Sequence, residues 1–289
     1  MSPPATPPAA PVSPVVELAD DRAARRGLRL FLKRDDLIHP ELPGNKWRKL
    51  RHNLGPAIAH GTVLTFGGAY SNHIRATAAA GRLFGFGTIG VIRGEEHLPL
   101  NDSLARAERM GMRLSYLDRT AYRRKHEPGV IEALHRRWGD FHLLPEGGSN
   151  TLAVRGCAEL GAEVPGFGVV CCPCGTGGTL AGLAAGLAPH QRAIGFSVLK
   201  GDFMDGEVER LQRETYGGRR GNWRVENGFH FGGYAKRARE LDAFADDFAA
   251  RHGVVLDRIY TAKMMFGVLA LAERGAFPEG ARVLAVITG

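Results

Sequence analysis

Short apolar runs alternate with stretches of helical period along most of this chain. Leu28 to Lys33 alternates apolar and basic residues and predicts a strand. Apolar runs at Val63 to Phe66, Thr88 to Arg93, Arg113 to Tyr116, Gly168 to Cys172, Ala193 to Val198 and Arg282 to Ile287 predict further strands, with a short one at His142 to Leu144. Helices are predicted over Lys46 to Ala59, Asn72 to Phe84, Ser103 to Met110, Val130 to Trp138, Thr179 to Leu187, Leu241 to His252 and Lys263 to Glu273. Gly85 and Gly111 end two of them. Strand–helix alternation at this spacing implies parallel sheets covered by helices. Two such blocks lie either side of about residue 146. Ligand sites in such folds gather at the C-terminal ends of strands, where the notable glycine-rich turns of this chain fall.

Composition narrows the class without naming it. The chain has 289 residues, 44% hydrophobic and 24% charged, an ordinary globular balance that excludes a membrane bundle, collagen and whole-chain disorder. Net charge is +8, which raises nucleic acid or an anionic ligand as partners. The basic set is 31 Arg and 7 Lys, scattered in short clusters, so no nucleic-acid face is expected. No apolar run reaches the length of a membrane span. Cys157, Cys171, Cys172 and Cys174 lack a metal-site spacing and read as small buried thiols, which suits the cytoplasm; no metal is expected. Residues 1–14 are Pro/Ala-rich, without the basic start and apolar core of a signal peptide, and read as a disordered tail.

Two features carry chemistry. Cys174-Gly-Thr-Gly-Gly-Thr-Leu-Ala-Gly follows a predicted strand and opens a helix. Its glycines let backbone N–H groups approach an anion at a helix N-terminus, with Thr176 and Thr179 as added donors. It is neither a P-loop nor a dinucleotide fingerprint; it reads as a phosphate cradle or as a packing turn. The second is Lys46, on the first turn of a predicted helix, where the dipole disfavours a cation. Apolar neighbours there would push its amine toward the neutral, nucleophilic form, able to condense with an aldehyde. Taken singly, it also fits a surface lysine.

Together a reactive lysine and a phosphate nest are what pyridoxal phosphate requires. Lys33-Arg-Asp-Asp, Gly44-Asn-Lys-Trp-Arg-Lys-Leu, Gly67-Gly-Ala-Tyr-Ser-Asn-His, Glu146-Gly-Gly-Ser-Asn and Gly175-Thr-Gly-Gly-Thr occur in that order. In these motifs the chain resembles the 1-aminocyclopropane-1-carboxylate deaminase / D-cysteine desulfhydrase family, of the tryptophan-synthase-β-like, fold type II pyridoxal-phosphate enzymes. The resemblance runs from Leu28 to the last residue. It implies an α/β fold of two domains, each an open, mostly parallel twisted sheet flanked by helices. Residues 15–50 plus 146–289 would form the large cofactor-binding domain, and residues 51–145 the small one. By similarity Lys46 is the Schiff-base lysine and proton carrier, and Asn72 contacts the cofactor's phenolic oxygen. Gly175, Thr176, Gly177, Gly178 and Thr179 hold the phosphate, and Thr288 faces the pyridine. Ser71, Asn72 and His73 bind the substrate; Tyr234 and Tyr260 face it and act as acid or base. The family's partners imply a small amino-acid substrate and a homodimer.

The resemblance also sets the expected chemistry. The deaminases carry Tyr-Glu where this chain has Tyr260-Thr261, and that Glu contacts the pyridine. The desulfhydrases place a threonine hydroxyl at the nitrogen, as Thr288 would. This chain departs from the family at Ile287, where a histidine is usual, and the family's tail continues beyond. The expected reaction is α,β-elimination from D-cysteine or a β-substituted analogue, giving pyruvate, ammonia and sulfide. The alternatives are 1-aminocyclopropane-1-carboxylate deamination, a serine/threonine-type dehydratase of the same fold, and an inactive relative that binds anions only.

Overall fold

The computed structural model describes residues 11–288. Ten strands occur among them: β1 (Val15–Leu18), β2 (Arg29–Lys33), β3 (Thr62–Gly67), β4 (Gly87–Arg93), β5 (Met112–Leu117), β6 (His142–Leu144), β7 (Val169–Cys174), β8 (Arg192–Ser197), β9 (Asn222–Glu226) and β10 (Arg282–Val286). Four helices bear on the site: α1 (Asn45–Arg51), α2 (Asn72–Phe84), α3 (Gly178–Gly186) and α4 (Thr261–Glu273). The described residues divide into two units, Leu50–Asn150 and residues 11–49 together with 151–288.

The larger unit holds a six-stranded sheet in the order β1-β2-β10-β7-β8-β9. All neighbours run parallel except β1, which pairs antiparallel with β2 at the edge. Alternate residues explain why its strands read as unbroken apolar runs. Leu30, Leu32, Cys171, Val283 and Ala285 pack on one face against Leu241, Phe248, Met264, Met265 and Leu269. Phe31, Val170, Cys172, Leu284 and Val286 pack on the other, against Leu180, Leu183, Val208 and Leu211. A parallel sheet covered on both faces needs apolar residues at every position. Each fully buried Leu or Val contributes roughly 1.5–3 kcal/mol.

The smaller unit holds a fully parallel sheet, β5-β4-β3-β6. Leu64, Phe66, Ile89 and Val91 pack on one face against Tyr122, Leu134 and Phe141. Ile74 and Ala78 of α2 cover the other with Ile92, Leu104 and Met112.

Several elements differ from the pattern-based expectation. The helix expected over Lys46 to Ala59 is two, Asn45–Arg51 and Leu54–His60. Pro56 lacks the N–H that would continue the ladder across the junction. The structure adds the helix Met204–Tyr216 and the half-exposed edge strand β9. Most of the expected tail, 1–14, lies outside the described residues. Ser13, within them, is buried, and its Oγ donates to Asp35 Oδ1 at 2.6 Å. The chain is therefore anchored before β1 begins. The four cysteines are buried and unbridged, and burial pushes the Cys157 and Cys171 thiols up, which makes them inert packing groups. Among the described residues no helix is long and apolar enough to cross a membrane.

Candidate active site

Connectivity fixes where each sheet offers a binding crevice. In the larger unit the chain steps from β7 outward to β8 and β9, while β10 lies on the other side of β7. The order therefore reverses between β10 and β7, the usual place for a ligand in such sheets. The segments leaving the C-terminal ends of these two strands are Gly175 to Gly177 and Ile287-Thr288. In the smaller unit the reversal lies between β3 and β6, whose ends lead into Gly67 to Ser71 and Pro145 to Ser149.

The glycine loop connects β7 to α3 as expected. Gly177 takes φ +74° and starts the helix with no side-chain cap. The first N–H groups of α3 are thus left to backbone, water or an anion. Asn45 joins this loop to Lys46: its Nδ2 donates to Thr179 Oγ1 at 3.1 Å, and its Oδ1 accepts from Lys46 Nζ at 3.1 Å. Two motifs more than a hundred residues apart in sequence are so brought within two hydrogen bonds. Gly44 makes this possible. It takes φ +57°, and a Cβ there would overlap the Thr288 carbonyl, so only glycine lets the start of α1 close on the end of β10. Thr288 itself is buried.

Lys46 is 9% exposed. Burial lowers its pKa to about 7, assisted by the nearby Lys49 ammonium. Lys49 is also buried, one turn along α1, and its Nζ donates to Thr176 Oγ1 at 3.4 Å. It is the residue that motif reading missed. The loop is therefore served by backbone donors, two threonine hydroxyls and a buried cation, beside an amine poised to lose its proton near neutrality.

Tyr260 packs across the loop: a Cβ on Gly175 would lie 3.0 Å from Tyr260 Cε1. Tyr234 meets Tyr260 edge to face, with ring centroids 6.0 Å apart. The Asp257 carboxylate accepts from the N–H groups of Ile259, Tyr260 and Thr261 and from Thr261 Oγ1 at 2.7 Å. The nearest acid to Tyr260 in sequence is therefore spent in holding the start of α4. Lys263, in the first turn of α4, is fully buried and donates to His230 O at 2.8 Å and Gly233 O at 2.7 Å. Burial lowers its pKa, against the attraction of Asp257.

Beneath α1 lies an ion network. Arg48 pairs with Asp35 and Glu163, and Lys33 with Glu163, each at 2.7 Å. It accounts for Lys33, Asp35 and Arg48 of the Lys33-Arg-Asp-Asp and Trp-Arg-Lys motifs as a scaffold that seats the helix carrying Lys46 and Lys49.

The remaining expected residues belong to the smaller unit. Ser71 caps α2, accepting from Ile74 N at 3.4 Å. Asn72 Oδ1 accepts from Arg75 Nη2. His73 is turned inward: it is buried, with Nε2 at 2.7 Å from Thr65 Oγ1. That hydroxyl donates to Leu144 O, so the imidazole must donate to it, which fixes the Nε2–H tautomer. A Cβ on Gly148 would lie 2.8 Å from His73 Cε1. His73, expected to bind the substrate, is thus packed between Thr65 and Gly148, joining the start of α2 to the Glu146-Gly-Gly-Ser-Asn turn.

Comparison with known proteins shows the family and the fold. A family model described as "Pyridoxal-phosphate dependent enzyme" matches residues 9–289. A Pyrococcus furiosus protein named "Putative 1-aminocyclopropane-1-carboxylate deaminase" is 32% identical over 281 residues, covering 91% of this chain and 85% of that protein. A Yersinia enterocolitica protein named "D-cysteine desulfhydrase" is 28% identical, over 91% of this chain and 87% of its own. The crystal structure of an "ACC deaminase homologue" shares the fold with a TM-score of 0.84 at 28% identity, over 100% of this chain and 92% of that one.

Proposed function

The chain belongs to the pyridoxal-phosphate-dependent enzymes, in the 1-aminocyclopropane-1-carboxylate deaminase / D-cysteine desulfhydrase group, and from that premise we propose that it catalyses α,β-elimination from D-cysteine or a close β-substituted amino acid. The residues present fit the cofactor. The uncapped start of α3, the Thr176 and Thr179 hydroxyls and the buried Lys49 ammonium would hold its phosphate. Lys46, with its pKa lowered to about 7, would bind its aldehyde carbon. When bound, the cofactor supplies an electron sink for the pair left at the substrate's Cα.

The chain's own groups divide the rest of the work. Ser71, at the start of α2, would take the substrate carboxylate, and Asn72 the cofactor's phenolic oxygen. Lys46 Nζ, freed when the substrate amine takes its place, would accept the α-proton. The Tyr234 and Tyr260 phenols hold a proton for the departing thiolate. The released enamine hydrolyses to pyruvate and ammonia.

The observation that carries this choice is Thr261. Position 261 carries a hydroxyl and no carboxylate, and the adjacent Asp257 carboxylate is engaged by that hydroxyl and by three backbone N–H groups, so neither is free to keep a pyridine nitrogen protonated. A weaker sink suits loss of a good leaving group such as thiolate better than opening of a carbon–carbon ring. The name of the Pyrococcus furiosus relative favours the second reading, cyclopropane deamination. The test is direct. Purified holoenzyme is assayed for sulfide and pyruvate from D-cysteine, and for 2-oxobutyrate from 1-aminocyclopropane-1-carboxylate. Sulfide with equimolar pyruvate is expected; efficient 2-oxobutyrate release without sulfide overturns the proposal.

A further inference from the structure

Lys263 is fully buried, yet among the described residues its ammonium has no carboxylate partner at hydrogen-bond distance. It donates instead to two backbone carbonyls, of His230 and Gly233. Burying a charge is costly, so such an ammonium stays only where its hydrogen bonds do something an apolar residue cannot.

The segment it holds is strained. Phe231 and Ala235 both carry a Cβ and both take positive φ, +51° and +54°. Between them Gly232 and Gly233 take +89° and +118°. Side chains disfavour that region, and a segment keeps it only when its surroundings impose it. The surroundings here come from α4. Lys263 ties both ends of the His230–Gly233 turn, and Phe231 packs edge-on against Phe266 with centroids 5.0 Å apart.

The next residue after that turn is Tyr234, whose ring meets Tyr260 at 6.0 Å. Tyr260 in turn packs over Gly175 of the loop and directly precedes α4. One helix start thus sets both phenols: Tyr260 by its cap and Tyr234 through Lys263.

We propose that Lys263 is a positioning residue, whose ammonium clamps the strained 230–235 segment so that the Tyr234 phenol is held against Tyr260 at the reacting end of the substrate. This rests on the functional reading above for the role of the phenols, but not for the clamp itself. The clamp has a readout independent of turnover.

The test uses holoenzyme of Lys263→Met, which keeps the stem's bulk and removes the donors. Amide hydrogen exchange at 230–236 is expected to rise roughly tenfold or more, since local opening loses both bonds. Cofactor content and visible absorbance stay at the wild-type level, because Lys46 and the glycine loop are untouched. Turnover on the active substrate falls, and the loss runs through Tyr234: Lys263→Met added to Tyr234→Phe costs little beyond Tyr234→Phe alone. A merely structural lysine would give additive losses. If Lys263→Met does not accumulate as folded holoenzyme, Lys263→Gln, which keeps an N–H donor, is read by the same exchange and double-variant measurements. Unchanged exchange at 230–236, or fully additive losses, overturns the proposal. An enzyme inactive on both candidate substrates counts against the functional reading and leaves the exchange result to decide the clamp.

Discussion

Lys46 offers the most quantitative test of the site. Its amine is displaced from the ordinary lysine value of 10.5 to about 7, first by burial and then by Lys49. The shift of about 3.5 pH units corresponds to about 5 kcal/mol against the charged form. At pH 7.5 about three quarters of the amine is then neutral, against about 0.1% for a solvent-exposed lysine. Capture of the cofactor's aldehyde requires the neutral form. Apoenzyme mixed rapidly with pyridoxal phosphate should therefore develop visible absorbance at a rate that rises through pH 7 and levels off by about pH 8. The same cofactor reacting with Nα-acetyl-lysine serves as reference, because it cancels the cofactor's own ionisation and keeps rising toward pH 10. Lys49→Met removes the neighbouring charge, so the midpoint should move up. It also removes a phosphate partner, so the cofactor should dissociate faster. A rate that climbs without a plateau to pH 10 in the wild type would show that Lys46 is not held in its neutral form, and the electrostatic account of the site would fail. Borohydride reduction and peptide mapping of the holoenzyme check the residue: label on any lysine but Lys46 sinks the assignment.

Two further outcomes test the scaffold. Gly44→Ala sets a Cβ against the Thr288 carbonyl at a left-handed position, so the start of α1 must shift; a stability loss of about 3 kcal/mol or more and weakened cofactor retention are expected, read by denaturant melts and dialysis, and a wild-type melt would refute the close approach. Burial raises the Glu163 pKa, but the Arg48 and Lys33 hydrogen bonds outweigh it and hold the carboxyl below its usual 4.5. Its folded pKa thus lies below the unfolded one, so its contribution is present above about pH 4.5 and fades as pH falls through the folded value. Glu163→Gln should cost roughly 3 kcal/mol near neutrality, and the gap to wild type should narrow in acid; a gap that is the same at pH 7.5 and 3.5 would contradict this.

The sequence signals that succeeded were those a single physical cause could write. Buried parallel strands such as β7 and β10 appear as continuous apolar runs because both sheet faces are covered. The glycine loop is visible as a strand-to-helix turn because the positive φ of Gly177 and the packing of Tyr260 over Gly175 exclude side chains there. Failures arose where two causes overlap. The stretch 46–59 has a helical pattern of apolar residues interrupted by Gly55-Pro56, which breaks the ladder at the start of the second helix. The helix Met204–Tyr216 buries Met204, Val208 and Leu211 at helical spacing, a stripe diluted by Asp205, Glu207, Glu209 and Arg210. The inward packing of His73 is not legible beside Ser71 and Asn72, because local sequence does not show that a glycine 75 residues later leaves room for its ring.

Lys49 and Lys263 had a signal that motif reading does not use. The chain carries 31 Arg and only 7 Lys. Exposed ion pairs here are mostly made by arginine, as in Arg124 with Glu127 and Arg210 with Glu214. Of the seven lysines, Lys33, Lys46, Lys49 and Lys263 are buried. Guanidinium is a better surface partner and cannot be deprotonated, so a composition that has exchanged lysine for arginine should retain lysine where guanidinium fails. Lys46 must become neutral and nucleophilic. Lys49 must sit as a compact charge beside Thr176. Lys263 must fit its ammonium between two carbonyls inside a packed helix face. A planar fork serves none of these places. In an arginine-rich chain the rare lysines are therefore the first residues to test for chemistry or positioning, and Lys49→Arg, which preserves the charge but not its shape, should weaken cofactor retention nearly as much as Lys49→Met. Retention restored by arginine would show that charge alone suffices at that position.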